Sequence, residues 1–206
     1  MPTLNTQGLS INYTEVGQPR EAADTLCLLH CSTSSNGQWR ALWERLQDRY
    51  RVLAPDLLGY GDTSEWSGTD DGLIRAEGDL VRALTEDLGS YHLLGHSYGG
   101  ASALRLALEE PHRLKSLTLI EPIAIFLLDP EKDAGPYRLL REIAEIYRSE
   151  VARGNPDVGI TRYFDYWNGD GAFAAAHPRT REYARSTAIK CYHEFDAIFD
   201  TVNKPA

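Results

Sequence analysis

The chain of 206 residues, 42% hydrophobic and 25% charged, has the composition of a globular protein with one substantial core. A formal net charge of −9 argues against a nucleic-acid surface, because neutralising phosphates requires clustered Lys and Arg. No stretch reaches the ~18 consecutive apolar residues of a membrane span, and none has the pattern of a signal peptide, so a cytoplasmic location without membrane partners is expected. Cys27, Cys31 and Cys191 form neither a metal spacing nor a disulfide framework.

The first segments, TLNTQG and LSINYTEVG, read as an antiparallel pair joined through Gln7-Gly8. DTLCLLH (24–30) is a nearly continuous apolar run, the pattern of a strand buried on both faces. In GQWRALWERLQDR, Trp39, Leu42, Trp43 and Leu46 recur every three or four residues, which places them on one helical face. YRVLAPDL is the next strand. LIRAEGDLVRALTEDLG carries a helical stripe of Leu73, Ala76, Leu80, Leu84 and Leu88, with Gly89 as its stop. YHLLGHS, the helix GGASALRLALEE and the strand LKSLTLIEP follow. This alternation predicts an α/β fold, a mostly parallel sheet of about six strands with flanking helices.

The pattern changes after Pro122. Residues 135–200 have helical periodicity and no strand signal: one helix over GPYRLLREIAEIYRSEVARG, a shorter one over DVGITRYFDYWNG, and a third over HPRTREYARSTAIKCYHEFDAIFD, with Pro178 near its start. The expected division is 1–122 for the α/β body and 123–206 for a helical region. TVNKPA at 201–206 reads as a connector.

In LLGHSYGGASAL (93–104), Ser97 lies between Gly95 and Gly99 at a strand-to-helix junction, the G-x-S-x-G arrangement of a nucleophile elbow. A sharp turn there lifts the hydroxyl above the sheet, and the following helix N-terminus favours an oxyanion. LLHCSTSSNGQW (28–39), VLAPDLLGYGDTS (52–64), LLGHSYGG and SLTLIEP, in this order and spacing, resemble the α/β-hydrolase superfamily from about residue 8 onward. The resemblance implies that the Tyr98 and Ser32 backbone N–H groups form the oxyanion hole, that His30 and His96 flank the site and orient loops, and that 123–206 is the cap and a connector toward further core strands. Cys31 stands where the family commonly has glycine, either as a small residue in a tight turn or as a thiol with a chemical role. Asp56 is assigned to turn structure.

Glu121, 24 residues after Ser97 at the end of the sixth strand, matches the acid position of one branch of that family. It reads equally as a charged strand end. The family's catalytic histidine follows an eighth strand, and nothing after the cap resembles strands seven and eight. His92 starts a strand and His112 follows a helix end, which leaves His177 and His193 as internal candidates for the base. A sixth strand without its neighbour is an exposed apolar edge, which proteins normally cover. Truncation is the favoured expectation, with a second chain or self-association over that edge as alternatives.

The function expected is therefore a serine hydrolase acting on a small carboxylic ester or related acyl substrate, with Ser97 as nucleophile and Glu121 as acid, and no metal or organic cofactor implied. Dehalogenation is not expected, since it needs a carboxylate nucleophile. The aromatics Tyr163, Phe164, Tyr166 and Trp167 either line an acyl pocket or pack the cap onto the body. Two alternatives remain: a catalytically silent binding or interaction module, and a cofactor-free lyase, C–C hydrolase or peroxidase-like relative.

Overall fold

Strands alternate with helices as far as Ile120, and in the computed structural model, which describes residues 2–6, 8–17, 24–68 and 72–199, they join in one sheet. The strands are β1 (Thr3–Thr6), β2 (Leu9–Val16), β3 (Thr25–Leu29), β4 (Arg51–Pro55), β5 (Tyr91–His96) and β6 (Leu114–Ile120). Their order is β1-β2-β4-β3-β5-β6. β1 and β2 pair antiparallel, β2 is antiparallel to β4, and β4, β3, β5 and β6 are mutually parallel neighbours. All of β3 is buried, as its unbroken apolar run requires, whereas β6 lies at the sheet edge among the described residues, with Lys115, Ser116, Thr118 and Ile120 exposed. Gln7 and residues 201–206 lie outside the described residues, and with them the Gln7 turn and the connector.

The helices of the body are α1 (Arg40–Leu46), α2 (Leu73–Leu84) and α3 (Tyr98–Glu109). The α1 stripe begins in a 3₁₀ turn, Asn36–Trp39, and buries Trp39 and Trp43 against β3 and β4 residues. α2 ends five residues before Gly89. Thr85 bonds back from its hydroxyl to the Val81 carbonyl at 2.8 Å, and the Arg113 guanidinium takes the Thr85 and Leu88 carbonyls. A threonine that satisfies the last turn, with an arginine capping the carbonyls beyond it, stops the helix without glycine.

Beyond β6 come α4 (Ala134–Ala152), α5 (Pro156–Asn168), α6 (Ala172–Ala175), α7 (Pro178–Ser186) and α8 (Ala188–Phe199). The single third helix expected over 177–200 is broken: it becomes α7 and α8, separated at Thr187. The Thr187 hydroxyl donates to the Tyr183 carbonyl at 2.8 Å, the back-bonding that bends helices, while the Tyr147 hydroxyl takes the Ala188 carbonyl at 3.3 Å. The bend turns α8 inward, so that Cys191, Glu194, Phe195 and Ile198 are buried. One apolar cluster runs from Ile11 and Leu29 in the sheet through Leu73 in α2 to Phe195 and Ile198 in α8, joining the helices after β6 to the body. Tyr183 ties the two together as well, donating to the Ser34 carbonyl at 2.8 Å and accepting the Gly61 N–H at 3.2 Å.

Candidate active site

Parallel register sets the C-terminal ends of β3, β5 and β6 side by side: Leu29 pairs with Gly95, and His96 with Ile120. The residues that follow these strands therefore meet at one end of the sheet, where open α/β sheets place ligands. Ser97 sits there with φ 53° and ψ −116°, a left-handed conformation costly for a side chain other than glycine. It is held from both sides. Its N–H donates to the Ile120 carbonyl at 3.0 Å, and its own carbonyl accepts the Ile123 N–H at 3.0 Å.

The flanking glycines are steric requirements. A Cβ on Gly95 would meet the backbone of Gly99 and Gly100, and one on Gly99 would meet the Leu29 and His30 carbonyls. One on Gly100 would fall 2.9 Å from the Pro122 Cβ. The small residues thus allow α3 to press against β3, β5 and the chain after β6, which fixes the serine.

Ser97 opens on a cavity of about 320 Å³ whose walls include Ser32, His96, Glu121, Ile123 and Tyr163. Five of the six site residues expected from the sequence fall into one neighbourhood: Ser32, His96, Ser97 and Glu121 line this cavity, and Tyr98 starts α3 beside it. As the first residue of a helix, Tyr98 has an N–H with no intrahelical acceptor. The Cys31 N–H is taken by the Gln38 side-chain carbonyl at 3.0 Å, so Ser32 is the next amide along that loop. The Cys31 thiol is pushed up to about 11, mainly by burial. It is therefore a protonated small side chain in the turn.

His30 is buried away from the cavity. Its Nδ1 lies 2.7 Å from the Cys31 carbonyl and its Nε2 accepts the Leu57 N–H at 3.0 Å, which fixes the Nδ1–H tautomer and leaves neither nitrogen for chemistry. Burial holds its pKa down at about 4. Asp56 plays the expected turn role, accepting from the Asn36 N–H at 2.6 Å and from the Asn12 amide at 2.8 Å. Glu121, at φ 43°, points outward with its side chain 89% exposed, and its carboxylate lies 4.0 Å from His96 Nε2. His96 bonds through Nδ1 to the Gln38 side chain at 3.1 Å. Burial lowers its pKa, with Glu121 opposing.

Neither internal candidate for the base reaches Ser97. His177 is exposed at the start of α7, where its Nδ1 accepts the Arg179 N–H at 3.2 Å. His193 stacks edge-on against Tyr192 and is absent from the cavity wall. α8 turns Cys191, Glu194 and Phe195 inward, and helical spacing carries His193 off that face. Of the four cap aromatics, Tyr163, Phe164 and Trp167 line the cavity, whereas Tyr166 packs against Trp167 at 4.7 Å.

Residues 28–202 match the alpha/beta hydrolase family. The chain belongs to that family. Over 171 residues it is 29% identical to a fluoroacetate dehalogenase of a Burkholderia species, an alignment covering 78% of this chain and 56% of that protein. Over 122 residues it is 30% identical to the 2-hydroxy-6-oxo-2,4-heptadienoate hydrolase of Pseudomonas putida, covering 57% of this chain and 43% of that protein. The chain thus spans about half the length of these curated relatives. The crystal structure of Cfl2 from Burkholderia cenocepacia superposes with a TM-score of 0.71 at 19% identity, over 97% of this chain and 71% of that one, a likeness of fold alone. No helix among the described residues is long and apolar enough to cross a membrane.

One charged group at the site is invisible to motif reading. Lys190 of α8 donates to Glu77 of α2 at 2.7 Å and lies 3.6 Å from Glu194, and all three side chains are buried. The signal available was a Lys and a Glu four residues apart among Ala188, Ile189, Cys191 and Phe195, together with Glu77 on the apolar stripe of α2.

Proposed function

We propose that this member of the alpha/beta hydrolase family is a serine hydrolase of small carboxylic esters or related acyl compounds, with Ser97 as nucleophile. The observation that carries the reading is the strained, doubly tethered Ser97 facing the 320 Å³ cavity. In the reaction, Ser97 Oγ attacks the carbonyl carbon and gives its proton to a base. The Tyr98 and Ser32 N–H groups receive the negative oxygen, the alcohol or thiol departs, and water releases the acyl group. Glu121 is assigned as the acid at the cavity edge. No hydrogen bond joins Ser97 to any of the six histidines among the described residues, and we assign the base to a group outside them.

Fluorophosphonate labelling followed by mass spectrometry tests the nucleophile. The expected result is an adduct on Ser97 that is lost in Ser97→Ala. A folded chain that takes no label would overturn the reading and favour a silent binding module. Turnover of p-nitrophenyl acetate and butyrate tests the acid: Glu121→Gln is expected to lower kcat by ~100-fold or more, a size typical of lost acid–base assistance, and an unchanged rate removes Glu121 from the assignment.

A further inference from the structure

Behind Ser32, Ile123, Tyr163 and Trp167, which line both spaces, a second chamber adjoins the Ser97 cavity. Its walls are mainly apolar, from Ile125, Ile143, Phe195 and Ile198, and its free space is about 20 Å³, room for one water-sized group. Among these apolar walls stands the carboxylate of Glu194, 2% exposed. Neither of its oxygens has a hydrogen-bond partner of good geometry among the described residues.

Its nearest polar neighbours are Lys190 and the Tyr60 and Ser32 hydroxyls. Lys190 spends its short bond on Glu77 at 2.7 Å and stands 3.6 Å from Glu194. Glu77 also accepts the Leu58 N–H at 3.1 Å, so that carboxylate is served twice. The Tyr60 hydroxyl accepts the Thr33 N–H at 3.0 Å; its own O–H lies near Glu194 without making a bond of good geometry to either oxygen. Two buried carboxylates thus share one ammonium, and only one of them is hydrogen-bonded. Burial pushes Glu194 up to about 7, with Lys190 and the nearby Ser32 and Tyr60 hydroxyls opposing. An unsatisfied acceptor in an apolar chamber is costly unless something supplies a donor.

The geometry points to Glu194 as the specificity-determining residue of this chamber: it receives a small hydrogen-bond donor, a hydroxyl or protonated amine, at the far end of the acyl group whose carbonyl lies at Ser97. Only the orientation of the ligand rests on the serine-hydrolase reading. The chamber's preference for a donor stands on Glu194 alone. The methylene chain lies in the larger Ser97 cavity, the chamber takes only the terminal group, and the carboxylate discriminates that terminus. A methyl terminus of equal size fits the space and leaves the acceptor unpaired.

Calorimetric titration with short unreactive amides tests this without requiring turnover. The ligands are a series of increasing length ending in hydroxyl, ammonium, methyl or methoxy. The hydroxyl or ammonium amide of one length is expected to bind the purified chain roughly tenfold or more tightly than its methyl counterpart, the range of a hydrogen bond to a charged group. Glu194→Leu is expected to erase or invert that preference. Glu194→Gln, which keeps the shape and leaves Lys190 paired with Glu77, is expected to retain hydroxyl binding and lose ammonium binding. Separate results for hydroxyl and ammonium identify which donor the chamber takes. The assignment is overturned by equal affinity for methyl and donor termini, by tighter binding of the methoxy terminus, by no binding across the series, or by a preference that survives both substitutions. The same titration on Ser97→Ala separates the two readings: a preference intact there, with no fluorophosphonate labelling of the parent chain, rejects the nucleophile and keeps the chamber.

Discussion

The elbow and the floor of the inner chamber lie within one site and are built on opposite principles. At the elbow, Gly95, Gly99 and Gly100 remove side chains so that backbone meets backbone, and the strain at Ser97 is borne by two backbone hydrogen bonds. On the floor, Lys190 and Glu194 from α8 meet Glu77 from α2 as buried ionisable groups inside the apolar cluster. The first is a local steric device written in consecutive residues. The second is an electrostatic device assembled from segments 113 residues apart. The comparison teaches that Ser97 is held rigidly by geometry, whereas the chamber behind it depends on a balance of buried charge.

The largest effect is expected where that balance is broken. Lys190→Met leaves Glu77 and Glu194 buried without a cation, and urea denaturation should show a loss of ~3–5 kcal/mol. A loss below ~1 kcal/mol would mean that the carboxylates are already neutral there, and the contrast with the elbow would then disappear.

A smaller, pH-dependent effect follows from His30 and Glu194. Below pH 6.5 the unfolded chain protonates His30, while the buried ring resists until about 4. Stability from this residue is therefore present above 6.5 and lost as pH falls through that window, by roughly 3 kcal/mol in all. Glu194 acts in the opposite sense. It keeps its proton up to about 7 against an ordinary 4.5, so its contribution falls as pH rises across that range. The two slopes oppose each other between 4.5 and 6.5. Denaturation curves of Glu194→Gln should consequently show a steeper acid-side loss than the parent chain; parallel curves would deny Glu194 its raised pKa.

The steric device is tested next. Gly99→Ala drives a methyl into the Leu29 and His30 carbonyls and should cost ~1–3 kcal/mol, as overpacking does, with the thermal midpoint as readout. Smallest of all, Ser97→Gly relieves the φ of 53° and should stabilise the chain by about 1 kcal/mol. A destabilised Ser97→Gly would show that the side chain contributes packing that outweighs its strain.

Much of this was legible in the amino-acid order. The strands and the tight turn at Ser97 were readable because each is a short-range pattern: apolar runs for buried strands, and glycines on either side of Ser97 for a close approach. The break at Thr187 was hidden because the helical stripe continues across it, and the bend is decided by one hydroxyl turning to the Tyr183 carbonyl. His177 and His193 looked equivalent as bases, and the rotation of α7 and α8 placed neither on the cavity wall.

By itself, then, the sequence determined the α/β alternation, the family and the strand-to-helix turn that carries Ser97, because steric and hydrophobic patterns act between near neighbours. Only the tertiary structure decided that Glu121 faces outward beside His96 and that Glu194 is enclosed without a hydrogen bond. The fate of a carboxylate depends on which distant groups surround it. For Glu194 those groups arrive from α2 and from the loops after β3 and β4, through contacts that no local spacing encodes.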